Sequence, residues 1–97
     1  MAILGSFTQT PIERKRYRID YSGWLQAGET LSSISFSSVP NDGALVDAYA
    51  IDADNKHVTC FVSGGQDQNT YRIHIVANTT LGQRKEDEAV FNVRNLP

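Results

Sequence analysis

The sequence predicts an all-β chain that folds as one antiparallel sandwich or barrel. Three observations carry this reading. Turn-forming residues recur along the chain, at Pro11, Gly23, Gly28, Pro40-Asn41-Asp42-Gly43, Asp52-Ala53-Asp54-Asn55, Gly64-Gly65 and Gly82. The short segments between them alternate apolar and polar residues with the two-residue period of a half-buried strand. No window carries the stripe of an amphipathic helix.

Residues 1–12 show no strong strand signal and are expected to form an N-terminal arm, with residues 13–97 as the sandwich domain. From Arg14, alternation places Tyr17, Ile19 and Tyr21 on one face and Arg14, Arg16, Arg18 and Asp20 on the other. Trp24 follows in a corner, where its ring would plug one end of the core. The next strand carries Leu31, Ile34 and Phe36, and the parity change after Leu31 predicts a bulge. Pro40 to Gly43 form a turn. In Leu45 to Ile51, Val46, Ala48 and Ala50 oppose Leu45, Tyr49 and Ile51. Asp52 to Lys56 read as a hairpin connection. Val58, Cys60 and Val62 share the next inward face, which turns Phe61 outward. Tyr71, Ile73, Ile75 and Ala77 make the clearest alternation in the chain, and Ala89, Phe91 and Val93 line the last strand. The expected core is therefore Tyr17, Ile19, Trp24, Leu31, Phe36, Tyr71, Ile73, Ile75, Phe91 and Val93. About seven strands are accounted for, the number in a small two-sheet sandwich.

The chain has 97 residues, a formal net charge of −2, 40% hydrophobic and 21% charged residues. That is one domain with one core. The charge gives no pull towards nucleic acid or anionic membrane. One cysteine excludes an internal disulfide and fits a reducing compartment. The first residues lack the basic and long apolar regions of a signal peptide, and no apolar run approaches a membrane span.

The residues predict no catalytic, cofactor-binding or metal site. His57, His74 and Cys60 lack the paired spacing that holds zinc. Asp52-x-Asp54-Asn55 opens like a calcium loop, but His57 and Ser63 stand where glycine and a bidentate glutamate are needed. Glu86-Asp87-Glu88 beside Arg84-Lys85 reads as a solvated turn or strand entry. Gly64-Gly65 lacks the following Lys-Ser/Thr of a phosphate loop and reads as a turn with positive φ. The alternating Arg14, Arg16 and Arg18 form either a docking stripe for an acidic surface or a charged edge that blocks aggregation. An outward Phe61, and Phe7 on the arm, complete the candidate protein-interface residues.

Several blocks resemble a family of small phage proteins, the fiber–tail adaptors. They are Gly5-Ser6-Phe7-Thr8-Gln9 with Pro11, Tyr17-Arg18-Ile19-Asp20-Tyr21-Ser22-Gly23-Trp24-Leu25, and Gly28-Glu29-Thr30-Leu31. Ser63-Gly64-Gly65 ahead of Tyr71-Arg72-Ile73, and Asn78 to Arg84, complete the set. The resemblance implies an immunoglobulin-like sandwich and a non-enzymatic virion protein assembled in the host bacterial cytoplasm. It implies portal, adaptor, tail or fiber subunits as partners, with a homo-oligomer in the particle and no cofactor, nucleic acid or membrane. A capsid decoration protein and a glycan-binding, adhesin-like module using Phe61 or Tyr71 stand as alternatives.

Overall fold

The computed structural model describes residues 2–41 and 45–95, with side chains from Leu4 onward. Seven strands are formed: β1 (Ala2–Gln9), β2 (Arg14–Asp20), β3 (Leu31–Val39), β4 (Val46–Ile51), β5 (His57–Ser63), β6 (Thr70–Thr79) and β7 (Arg84–Val93). One sheet has four strands in the order β1-β7-β6-β3, and the other has three in the order β2-β5-β4. Only β1 with β7 is a parallel pair; the rest are antiparallel. Setting β2-β5-β4 against β7-β6-β3 is the connectivity of an immunoglobulin-like sandwich, with the first strand carried on the flank of β7.

The core follows from which strands are central. β6 and β5 each have neighbours on both sides, so their inward stripes are screened from water in every direction. Tyr71, Ile73, Ile75 and Ala77 of β6 and Val58, Cys60 and Val62 of β5 are all buried. Each buried valine or isoleucine among them contributes roughly 1.5–3 kcal/mol over an exposed one. Phe91 and Val93 of β7 and Leu31 at the start of β3 are buried with them. Tyr17, Ile19 and Phe36 lie on edge strands and are half-buried against this core. Trp24 is half-buried and meets Tyr21 edge-on at 6.0 Å, closing the end near Leu31 and Val58.

Tyr71 also fixes a corner. Its side chain is fully buried, and its hydroxyl accepts a hydrogen bond from the Gln66 amide at 2.8 Å. This is the tyrosine corner of immunoglobulin-like domains, at the start of the sixth strand. The turn that brings Gln66 there needs glycine. Gly65 has φ +89°, and an added Cβ would lie 2.9 Å from Val93 and 3.0 Å from Leu45. At the opposite end, Glu29 is fully buried. Its carboxylate accepts from the Gln26 amide, the Thr79 hydroxyl and the Gln83 side-chain amide. These bonds hold it below the usual carboxylate range and join the entry of β3 to the β6–β7 turn.

The structure departs from expectation in several places. Residues 2–9, expected within an arm, form β1, so the fold begins before residue 13. Gln9 anchors that strand: its side-chain amide donates to Val62 O at 2.7 Å and accepts from the Tyr17 hydroxyl at 3.0 Å. The Arg84–Glu88 stretch is the entry of β7, one of the two readings, but it is not solvated throughout: Asp87 and Glu88 are buried. Lys85 Nζ donates to Asp87 Oδ1 at 2.7 Å. Val46 faces inward, against the parity read for Ala48 and Ala50, because a bulge at Asp47 resets the register. The bulge after Leu31 lies between Leu31 and Ser33. Asp42 and Gly43 of the predicted turn lie outside the described residues.

Tyr71→Phe keeps the packing but strands the Gln66 amide. It should lower unfolding free energy by about 1–3 kcal/mol, read from urea denaturation, with an unchanged far-ultraviolet circular dichroism spectrum.

Candidate docking face

The outer face of the β2-β5-β4 sheet collects four of the five candidate interface residues. Alternation on β2 turns Arg14, Arg16, Arg18 and Asp20 outward, while Tyr17 and Ile19 face the core. On β5 the same rule turns His57, Thr59, Phe61 and Ser63 outward, with Phe61 opposite Arg16. On β4 the bulge aims Asp47 at this face, and Asp52 closes the strand.

The arginines are mostly engaged. Arg14 grips Asp47 with two parallel bonds, Nε to Oδ2 at 3.0 Å and Nη2 to Oδ1 at 3.0 Å. The Ser63 hydroxyl donates to the same carboxylate. The Arg14 guanidinium also sits 4.0 Å above the Phe61 ring, a cation–π contact. Arg18 Nε bonds Asp52 Oδ2 at 2.8 Å, and the Thr59 hydroxyl donates to Asp52 Oδ1 at 2.7 Å. Both ion pairs therefore reach across β5 and lie flat on the sheet. His57 stands between Asp54, with Nδ1 to Oδ2 at 2.6 Å, and Asp20, with Nε2 to Oδ1 at 3.1 Å. Arg16 has no ion pair among the described residues.

The stripe read as cationic is thus balanced. Three guanidiniums face four carboxylates, those of Asp20, Asp47, Asp52 and Asp54. The bonds hold all four carboxyls below their usual range. For Asp47 the cause is first the Arg14 bond and then Ser63; for Asp52 it is Thr59 and then Arg18. For Asp20 it is the hydroxyl and amide of Ser22, and for Asp54 the Lys56 amide. Asp52 and Asp54 shape a tight turn in which the Asn55 amide donates to Asp52 O at 2.9 Å. Among the described residues no three metal-ligating side chains converge.

Phe7 is not on this face. It packs inward from β1, stacked on Phe91 and edge-on to Tyr17, each at 5.1 Å between ring centroids. Phe61 is covered by Arg14 and Tyr71 is buried, so neither offers an open aromatic platform for a sugar. Asp47 was not singled out by the sequence, and Asp52 was read only as part of a turn, not as the partner that orients Arg18. Their role depends on the β4–β5 register, and no local signal carries that.

Residues 9–92 match the family described as the podophage GP4 fiber-tail adaptor protein gp77. No curated protein matches the chain. Among solved structures, the chain resembles part of a 2,6-sialyltransferase from Photobacterium sp. JT-ISH-224 at a TM-score of 0.53 and 10% identity. The match covers 95% of this chain and only 17% of that enzyme, and it speaks to the fold alone.

A carboxyl held below its unfolded value stabilises the fold above that value and loses its contribution as pH falls through the folded one. Asp20, Asp47, Asp52 and Asp54 all move this way from an ordinary 3.8. The urea midpoint should therefore be flat above about pH 5 and fall steadily below about pH 4. Asp47→Asn should flatten part of that slope. An unchanged acid slope in that variant would separate the Arg14–Asp47 pair from stability.

Proposed function

The chain belongs to the podophage GP4 fiber-tail adaptor family, and from that premise we propose that it joins fiber to tail by docking through the outer β2-β5-β4 face. The observation that carries this reading is the state of Arg16. Its neighbours Arg14 and Arg18 are fixed by Asp47 and Asp52, which leaves little side-chain freedom to lose on binding. Arg16 stands beside Phe61 in that ordered surround, without a carboxylate of its own among the described residues. A guanidinium in that position accepts a carboxylate through two parallel bonds. The partner is then a tail or fiber subunit that presents an acidic group, and assembly takes place in the host cytoplasm with several copies per particle.

Arg16 is exposed and on an edge strand, so Arg16→Glu should leave the melting temperature unchanged. Reversing a central interface arginine removes about 2 kcal/mol or more of binding free energy, which is roughly thirtyfold in Kd. Particles assembled with this variant should carry correspondingly few copies, counted by quantitative mass spectrometry of purified virions. Wild-type copy number with Arg16→Glu would move docking to another surface.

A further inference from the structure

The two sheets leave four flanking strands, and their charges differ. β2 carries Arg14, Lys15, Arg16 and Arg18. β4 carries Asp47 and is followed by Asp52, with a bulge between them. β1 runs parallel to its neighbour and is interrupted by an irregularity between Ile3 and Gly5. β3 has a bulge only at the start of its pairing, between Leu31 and Ser33, and from Ser33 to Val39 it runs regularly and carries none of these devices. Its nine residues, Leu-Ser-Ser-Ile-Ser-Phe-Ser-Ser-Val, contain no charge and no proline, and β6 is its one sheet neighbour. Unpaired backbone donors and acceptors on such an edge invite another strand, and natural edges are usually guarded against it.

The β3 sequence also selects what would pair with it. Read outward from Ser35, it is symmetric in residue type. Ile34 mirrors Phe36 and Ser33 mirrors Ser37 over the regular stretch; beyond it the bulge between Leu31 and Ser33 ends the match, with Leu31 buried and Val39 exposed. An antiparallel copy centred on Ser35 therefore sets Ile34 against Phe36 on the core side and Ser33 against Ser37 on the solvent side. Every cross-strand pair in that stretch is apolar on apolar or hydroxyl on hydroxyl, and no like charges meet. The same operation on β2 would oppose guanidinium to guanidinium. Two exposed apolar side chains, Val39 and Tyr49, flank this edge at 55% and 50% exposure, and Tyr49 leans on Phe36 at 4.8 Å. Beside them a groove of about 300 Å³ is lined, among the described residues, by uncharged side chains that include Phe36, Ser37, Ser38, Leu45 and Tyr49.

We propose that β3 pairs antiparallel with β3 of a second copy about a two-fold axis at Ser35, joining the two four-stranded sheets into one. A two-fold contact of this kind is self-complementary and closed, so it yields a dimer rather than a fibre. The inference deepens the adaptor reading by naming a second copy as one partner, and it rests on that reading only for where the dimer is used.

The test is site-specific oxidation of the full chain. Residues directly opposite in an antiparallel pair lie roughly 4.5–5.5 Å apart at Cα, within the span a disulfide bridges. Ser35→Cys should therefore give a disulfide-linked dimer under mild oxidation. In the same dimer the two copies of residue 33 are four positions out of register, roughly 13 Å apart at the strand rise, so Ser33→Cys alone should not cross-link. A mixture of Ser33→Cys and Ser37→Cys chains should cross-link. Cys60 is 4% exposed and burial pushes its thiol up to about 11, so it does not compete. Sedimentation should show twice the chain mass for the native sequence and a single chain for Ser35→Lys, whose side chain points to solvent. Equal cross-linking of the residue-33 and residue-35 variants, or an unchanged mass for Ser35→Lys, overturns the pairing. Cryo-electron microscopy separates the two readings. A monomer at the fiber–tail junction defeats the dimer alone, and a dimer absent from that junction defeats the adaptor site alone.

Discussion

Burial of the β6 stripe against β5 is the interaction from which the other features take their positions. Both strands are central in their sheets, and between them they align Tyr71, Ile73, Ile75 and Ala77 with Val58, Cys60 and Val62. Once that seam is set, the two-residue period fixes which side chains every neighbouring strand must turn inward. A slip of one residue anywhere would expose a whole stripe. Tyr71 ties the seam to the chain's path, because its ring sits in the core while its hydroxyl holds the Gln66 amide. Gly65 makes the approach possible, since a side chain there would collide with Val93 and Leu45. One phenol thus couples the β5–β6 connection, the end of β7 and the β3–β4 return.

The same geometry creates a problem at the flanks. An open two-sheet sandwich cannot pair the outer backbone of its edge strands. β2 meets this with four cations, and β4 with a bulge and carboxylates. The ion pairs between these two edges run over β5, so one set of bonds guards both edges and flattens the face between them. The other outer face has one ion cluster and one arginine bonded to a neutral amide. Glu88 lies between Arg72 at 3.2 Å and His74 at 3.4 Å, and Arg84 bonds Asn78 at 2.9 Å.

How much of this was legible follows from the range of each interaction. The alternations of β6 and β7 state their own faces, and the parity change at Leu31 announces its bulge, because these are local patterns. β1 was not legible. Its place depends on a parallel pairing with the far end of the chain and on Gln9 reaching the Val62 carbonyl, and no local period encodes either. Glu86-Asp87-Glu88 misled by composition: three acids look solvated until Lys85, two residues back on the same face, is seen to accompany Asp87 inward. The arginine face was visible, but its neutralisation was not. Asp47 on β4 and Asp52 just after it lie two strands across the sheet from the arginines, and the bulge that aims Asp47 appears only in the paired register.

An adaptor must hold two different things at once, which requires surfaces that do not overlap. The sandwich supplies them through its topology. β1 and β2 follow one another and form one flank, whereas β3 and β4 approach each other on the opposite flank. Arg16 belongs to the first flank and the uncharged β3 edge to the second. On the β2-β5-β4 face, charge matching around Arg14 and Arg18 leaves Arg16 without a carboxylate among the described residues, and the β3 edge carries no charge at all. One is a lone guanidinium suited to a carboxylate, and the other is a neutral strand suited to a strand of like character. Their chemistries do not cross-react, because a neutral serine-rich edge offers nothing to an arginine that water does not offer equally well. A partner held on one flank therefore leaves the other open, and a single small sandwich can impose order on an assembly.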